Sequence, residues 1–212
     1  MKLAGLFAAS TGALALLIVV ALGRVVLVDW QKYRDSDAGL LSMELAHKAM
    51  VAAEKVSFER GPSNGVLGDR EPPDPAKADR LAKARQTTDA ALGSLQSAVA
   101  ASPNPLDAEA LGIIAATRAA LPTARQRIDQ VAALPRADRS PEQTTEAIGQ
   151  MISVVPIAMG AVSVLSRNAA NVYPQFTDAL TNARLSVELR EYAGQLGSRF
   201  TAALKGLRTS AP

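Results

Sequence analysis

Hydrophobic positions follow two patterns along this chain. From Leu3 to Gly23 they form a run without a single charged residue. Beyond it they recur every third or fourth position, the spacing that puts apolar side chains on one face of a helix. Leu41, Leu45, Ala49, Ala52 and Val56 make the first such stripe. It predicts a helix continuing out of the apolar run as far as Glu59-Arg60-Gly61. Pro62 lacks an N–H and crowds the preceding turn, so a kink or an end is expected there. Asp74 and Pro75 supply a cap and a first helical residue for a second helix. Its stripe is Leu81, Thr88 and Leu95, flanked by Ala84, Ala91, Ala98, Leu92 and Val99. Asn104-Pro105 opens a third, with Ile114, Leu121 and Ile128 in a heptad row and a kink expected at Pro122.

Ser140-Pro141-Glu142-Gln143 is a capping box for a fourth helix. This is the most apolar segment after the first: Ile148, Met151, Ile152, Val155, Ala158, Val162 and Leu165, interrupted by Pro156 and Gly160. Pro174 starts the last pattern, from Phe176 through Leu180, Leu185, Leu189, Tyr192, Leu196 and Phe200 to Leu204. The alternating apolar and polar positions of a strand appear nowhere. Short connections make successive helices antiparallel. The predicted fold is all-α: an N-terminal transmembrane helix followed by an up-down antiparallel helical bundle.

At 1.5 Å per residue, Leu3 to Gly23 reaches roughly 31 Å, enough for a bilayer core. The expected division is an anchor over residues 1–28 and a helical bundle over 29–212. A cleaved signal peptide is the rival, with Ala21-Leu22-Gly23 as its cleavage site, although such apolar regions are usually about half this length. Lys2 on one side and Arg24, Lys32 and Arg34 on the other leave the orientation undecided by charge. Trp30 and Tyr33 fit an interfacial aromatic pair as well as an ordinary helix surface. A second span over Ala147–Leu165 competes with a centrally packed bundle helix.

Composition narrows the chemistry. Of 212 residues, 48% are hydrophobic but only 4% are aromatic, which suits helices packed closely on alanine. The net charge of +3 is spread along the chain, without the basic patch that nucleic acid needs. There is no cysteine, and His47 is the single histidine, so thiol catalysis and a histidine-based metal cluster are excluded. Glu59, Glu188 and Glu191 come with no nucleophile, metal set or phosphate loop, so neither an enzyme nor a cofactor is expected.

Charge, glycine and proline concentrate in Phe58-Glu59-Arg60-Gly61-Pro62-Ser63-Asn64-Gly65-Val66-Leu67-Gly68. This segment resembles the Glu-Arg-Gly stretch in extracytoplasmic sensor regions of bacterial signalling proteins, among them chemoreceptors and membrane-bound diguanylate cyclases. It is also similar to nitrate-and-nitrite-sensing helical domains. The resemblance runs from the apolar segment through Glu188-Leu189-Arg190-Glu191-Tyr192-Ala193-Gly194. It implies a single-pass protein of the bacterial inner membrane with most of the chain periplasmic. Such a region is a signal input, pairing with a second copy or a partner signalling protein. Members of this type are larger and continue into an output domain, so 29–212 is expected to be an incomplete sensor domain. A membrane-anchored helical scaffold that binds other proteins is the alternative.

The candidate ligand site is Glu59, Arg60, Gly61 and Arg190. Arg60 and Arg190 each stand beside a glutamate. If the first and last helices are neighbours, the two arginines face one pocket and hold a small anion with paired hydrogen bonds, as the resemblance to nitrate-sensing domains implies. Otherwise each arginine is solvated or paired with its adjacent glutamate. Gly61 and Gly65 are expected to admit a ligand or a second backbone.

Overall fold

The computed structural model describes the backbone of residues 3–69 and 74–209 and the side chains of 12–14, 16–31, 36–69 and 74–200. Tyr33, the reversal at Arg70-Glu71-Pro72-Pro73 and the tail after Thr209 lie outside these described side chains. Five long helices carry the described chain: α1 (Leu3–Leu67), α2 (Pro75–Ala100), α3 (Ala108–Ala132), α4 (Pro141–Val172) and α5 (Thr177–Thr209). Three-residue 3-10 turns at Pro105–Asp107, Arg136–Asp138 and Pro174–Phe176 join the last four, and no strand occurs among the described residues.

The chain divides into two compact units, residues 1–40 and 41–212. In the first, the described large apolar side chains between Leu14 and Val28 are exposed. Length and composition suffice for this part of α1 to cross a membrane. Helix α4 passes the same test, but half of its most apolar stretch is buried within the second unit. Met151, Val155, Val162 and Leu165 sit in the core with Leu45, Leu92, Ile114 and Ile128. That burial accounts for the apolarity of α4 without a membrane.

Contacts give the topology of the second unit. Lys48 of α1 reaches Ser94, and further along, Lys55 offers its carbonyl to Thr88, so α1 and α2 run in opposite directions. Arg85 meets Asp129 while Gln96 meets Arg118, which makes α2 and α3 antiparallel. Glu109 with Arg167 and Arg127 with Glu146 do the same for α3 and α4. Helices α1 and α5 are parallel: Arg60 meets Glu191 and Asn64 meets Ser198. The expected up-down bundle is the observed one.

Local chemistry sets the helix ends. Asp74 accepts from the Ala76 N–H, and Ser140 and Gln143 form the reciprocal capping box. Helix α1 does not end at Pro62. The proline forfeits one backbone hydrogen bond and strains the turn, at about 3 kcal/mol. The following turn buries Val66 and Leu67, each 3% exposed, for roughly 1.5–3 kcal/mol apiece. The balance favours one more turn, and the Ser63 hydroxyl adds a 2.9 Å bond to the Glu59 carbonyl. Beyond that turn, Arg139 is buried and donates to the carbonyls of Leu67 and Asp69 at 3.1 and 2.8 Å and of Ala132 at 2.6 Å. One guanidinium thereby satisfies orphan carbonyls at the C-terminal ends of both α1 and α3.

Helix α5 departs most from its sequence pattern. Leu180 is buried, but Leu185, Leu189, Tyr192, Leu196 and Phe200 are 50–72% exposed. The inward face carries Glu191, Gly194 and Ser198 instead. The apolar stripe looks outward because α5 meets α1 through polar and small residues.

Candidate functional site

Consecutive helical residues point about 100° apart, so neighbouring side chains do not face one another. Glu59 and Arg60 therefore meet different helices. Glu59 points to α2 and α3 and is fully buried, with 0% exposure. The Arg125 guanidinium grips its carboxylate with both branches, Nε at 2.7 Å and Nη2 at 2.8 Å. Arg125 also donates to Asp89 at 3.0 Å. Beside it, Arg85 holds Asp129 through two bonds of 2.7 and 2.9 Å. Burial pulls the Arg125 pKa down. Its hydrogen bonds to Glu59 and Asp89, with their Coulombic attraction, outweigh burial and leave the pKa raised above the usual arginine value.

Arg60 turns toward α5, where its partner is Glu191, with Nη1 at 2.6 Å from one carboxylate oxygen and Nη2 at 3.4 Å from the other. Both side chains are buried. The Ser57 hydroxyl also donates to Glu191, and the Gln195 amide donates at 3.0 Å. Four N–H and O–H bonds from three side chains thus converge on one carboxylate.

The alternative pairing of Arg60 with the adjacent Glu59 does not occur, for the geometric reason above. The structure does not bring Arg190 to Arg60 either. Arg190 precedes Glu191 and so points elsewhere: its side chain is 53% exposed and lies 3.2 Å from Glu54 at the surface. Partial burial raises the Glu54 pKa, and the Arg190 hydrogen bond and charge lower it further than that, for a net shift downward. Gly61 is exposed, and a Cβ there would meet no atom within 4 Å. The glycine that permits close approach is Gly194, where a Cβ would collide with the Arg60 guanidinium.

Two open grooves flank the pair. One, of about 550 Å³, is lined by Gly61, Asn64, Gly65, Gly194 and Ser198. The other, of about 460 Å³ between α4 and α5, is lined by Met159, Ser163, Glu188, Glu191, Tyr192 and Gln195. Groups of three or more His, Cys, Asp or Glu able to hold a metal do not occur among the described residues. His47 is exposed.

Sequence patterning missed Ser57, Arg125, Glu191 and Gln195 as members of this constellation. The available signal was α5 itself. Glu191, Gly194, Gln195 and Ser198 recur at helical spacing, a polar and small-residue face as regular as the apolar one.

The site is thus a buried arginine of one helix donating to a carboxylate of a parallel neighbour. Residues 53–206 match the nitrate and nitrite sensing domain family, and the chain belongs to it. That family comprises sensor domains of bacterial signalling proteins. No curated protein and no solved structure matches the chain.

Proposed function

We propose that this chain is the membrane-anchored sensory input region of a bacterial signal-transduction protein, and that it binds nitrate, nitrite or a similar small oxyanion at Arg60. The carrying observation is the donor set at the α1–α5 contact: a buried guanidinium with a hydroxyl and an amide, all aimed at one planar anionic group. A planar fork matches a planar oxyanion, which a lysine would not do. In this reading Arg60 holds the ligand and Gly61 leaves the neighbouring groove open. Glu59, fixed by Arg125, keeps α1 in register, and Arg190 adds positive charge at the nearby surface.

Residues 1–28 serve as a single-pass anchor in the inner membrane, with residues 29–212 periplasmic. The exposed apolar run in the first unit supports the anchor. The outward stripe of α5 supports pairing with a second copy. At roughly 100 Å² exposed per side chain it offers on the order of 500 Å². A standard interface uses about 800 Å² per partner, so the stripe would form the centre of one. The same stripe favours the second reading, a scaffold that docks another protein there.

The test is calorimetry of the full chain in detergent with nitrate, nitrite and formate. Binding should be lost with Arg60→Ala and weakened at least tenfold with Arg60→Lys, the scale of about 1.5–3 kcal/mol for a hydrogen bond to a charged group. Equal binding by Arg60→Ala rejects the site.

A further inference from the structure

The Arg60 cradle is already full. The Arg60 fork, the Ser57 hydroxyl and the Gln195 amide direct their donors at the two oxygens of Glu191. A carboxylate is a planar, delocalised group of charge −1, and so are nitrate, nitrite and formate. Whatever the cradle does for one of these it does for the others. We infer that the Glu191 carboxylate is a resident competitor for the anion site, so that ligand binding and the Arg60–Glu191 latch between α1 and α5 exclude each other. This rests on the proposed anion site.

Charge requires an exchange rather than a simple release. Removing Glu191 alone would strand a buried guanidinium without its counter-charge, which is strongly unfavourable. An incoming anion replaces that charge in the same step. The displaced carboxylate has somewhere to go, because it already lines the open groove of about 460 Å³ between α4 and α5. In the latched state Gly194 lets α5 approach the guanidinium closely, because a Cβ there would collide with it. After the exchange, α5 retains its contacts with α4 and loses the buried ion pair to α1. The ligand therefore acts by its differential affinity for latched and unlatched states, which is what a sensor requires.

Glu191→Gln is the decisive variant. It keeps shape and volume, removes the competing charge and leaves Arg60 in need of an anion. Apparent affinity is reduced by the fraction of cradles that are free. If Glu191 fills nine in ten or more, the variant should bind nitrate and formate about tenfold tighter or better. Glu191→Asp, with a shorter reach, should fall between parent and Glu191→Gln. The chain contains no cysteine, so spin labels at Phe58→Cys and Leu189→Cys, both exposed, report the α1–α5 separation independently of affinity. Saturating nitrate should shift the parent's distance distribution toward that of anion-free Glu191→Gln.

Anion binding that depends on Arg60 but is no tighter in Glu191→Gln overturns the competitor while leaving the anion site standing. Tighter binding with an unchanged separation overturns the latch. Binding by neither parent nor Glu191→Gln, both folded by circular dichroism, overturns the anion site and this inference with it.

Discussion

Helix α1 is attached to the rest of its bundle in two different ways. Toward α2 and α3 it combines a packed apolar seam with a closed charge network. Glu59 is gripped by Arg125, which also holds Asp89, and Arg85 holds Asp129 alongside. Toward α5 the contact is made by glycine, serine, asparagine and the Arg60–Glu191 pair, with open grooves on either side. The first attachment centres on a carboxylate that is 0% exposed, with a groove of about 320 Å³ at its edge beside Phe58, Pro62 and Arg80. The second centres on a carboxylate that itself lines an open groove of about 460 Å³. Two adjacent residues of one helix thus meet different neighbours, Glu59 the arginine of α3 and Arg60 the glutamate of α5.

The largest effect should come from breaking the fixed side. Arg125→Ala leaves the Glu59 carboxylate buried without its main partner. Removing one member of a buried pair costs about 3–5 kcal/mol, so the urea midpoint should fall steeply. Arg60→Ala strands Glu191 in the same way, but that carboxylate lines an open groove and can reach water. Its loss should be clearly smaller. Equal losses for the two variants would erase the distinction between the interfaces.

Gly194→Ala should come next. The added methyl meets the Arg60 guanidinium, and forcing extra volume into a packed contact costs about 1–3 kcal/mol. Gly61→Ala, inside a helix and with nothing within 4 Å of the added methyl, should instead raise stability by about 0.5–1 kcal/mol. The contrast is measured by chemical denaturation of both variants.

These two glycines show where sequence patterning stopped being informative. The helices, their caps and their directions were legible because each depends on local spacing: Asp74, the Ser140–Gln143 box and the heptad row Ile114, Leu121, Ile128 all fall where periodicity places them. Arg60 was legible as a candidate because an arginine and two glycines are conspicuous in an apolar stripe. Its partner was not. Glu191 and Arg190 are adjacent and both charged, with opposite signs, and knowing which of them faces Arg60 requires the rotation of α5. That rotation runs against the usual rule, since the apolar face of α5 looks outward and its polar face packs. Arg139 was missed for a related reason. Its function is to satisfy backbone carbonyls from two helix ends, and those come together only in the folded bundle.

The outward face of α5 offers a milder test. Leu189→Glu touches nothing in the core, so the folded chain should keep its stability to within about 0.5 kcal/mol. If the stripe joins two copies, sedimentation should show the parent as a dimer and this variant as a monomer. A parent that is already monomeric would leave the stripe to a different protein.

The weakest electrostatic effect belongs to the residue that sequence patterning ranked beside Arg60. Arg190 and Glu54 sit at the surface, with side chains 53% and 37% exposed, so solvent screens their attraction. Such pairs contribute about 0–1 kcal/mol, and Arg190→Ala should cost no more than that. The sign of its pH dependence is fixed by Glu54, whose folded-state pKa lies below the ordinary 4.5 because of Arg190. A carboxylate with a lowered folded pKa stabilises the fold above its unfolded value and loses that contribution as pH falls through the folded one. The difference between parent and Arg190→Ala should therefore be present at neutral pH. It should shrink on acidification below pH 4.5 and also in high salt. A cost for Arg190→Ala as large as that for Arg60→Ala, insensitive to acid and salt, would mean that the surface arginine shares the buried site after all.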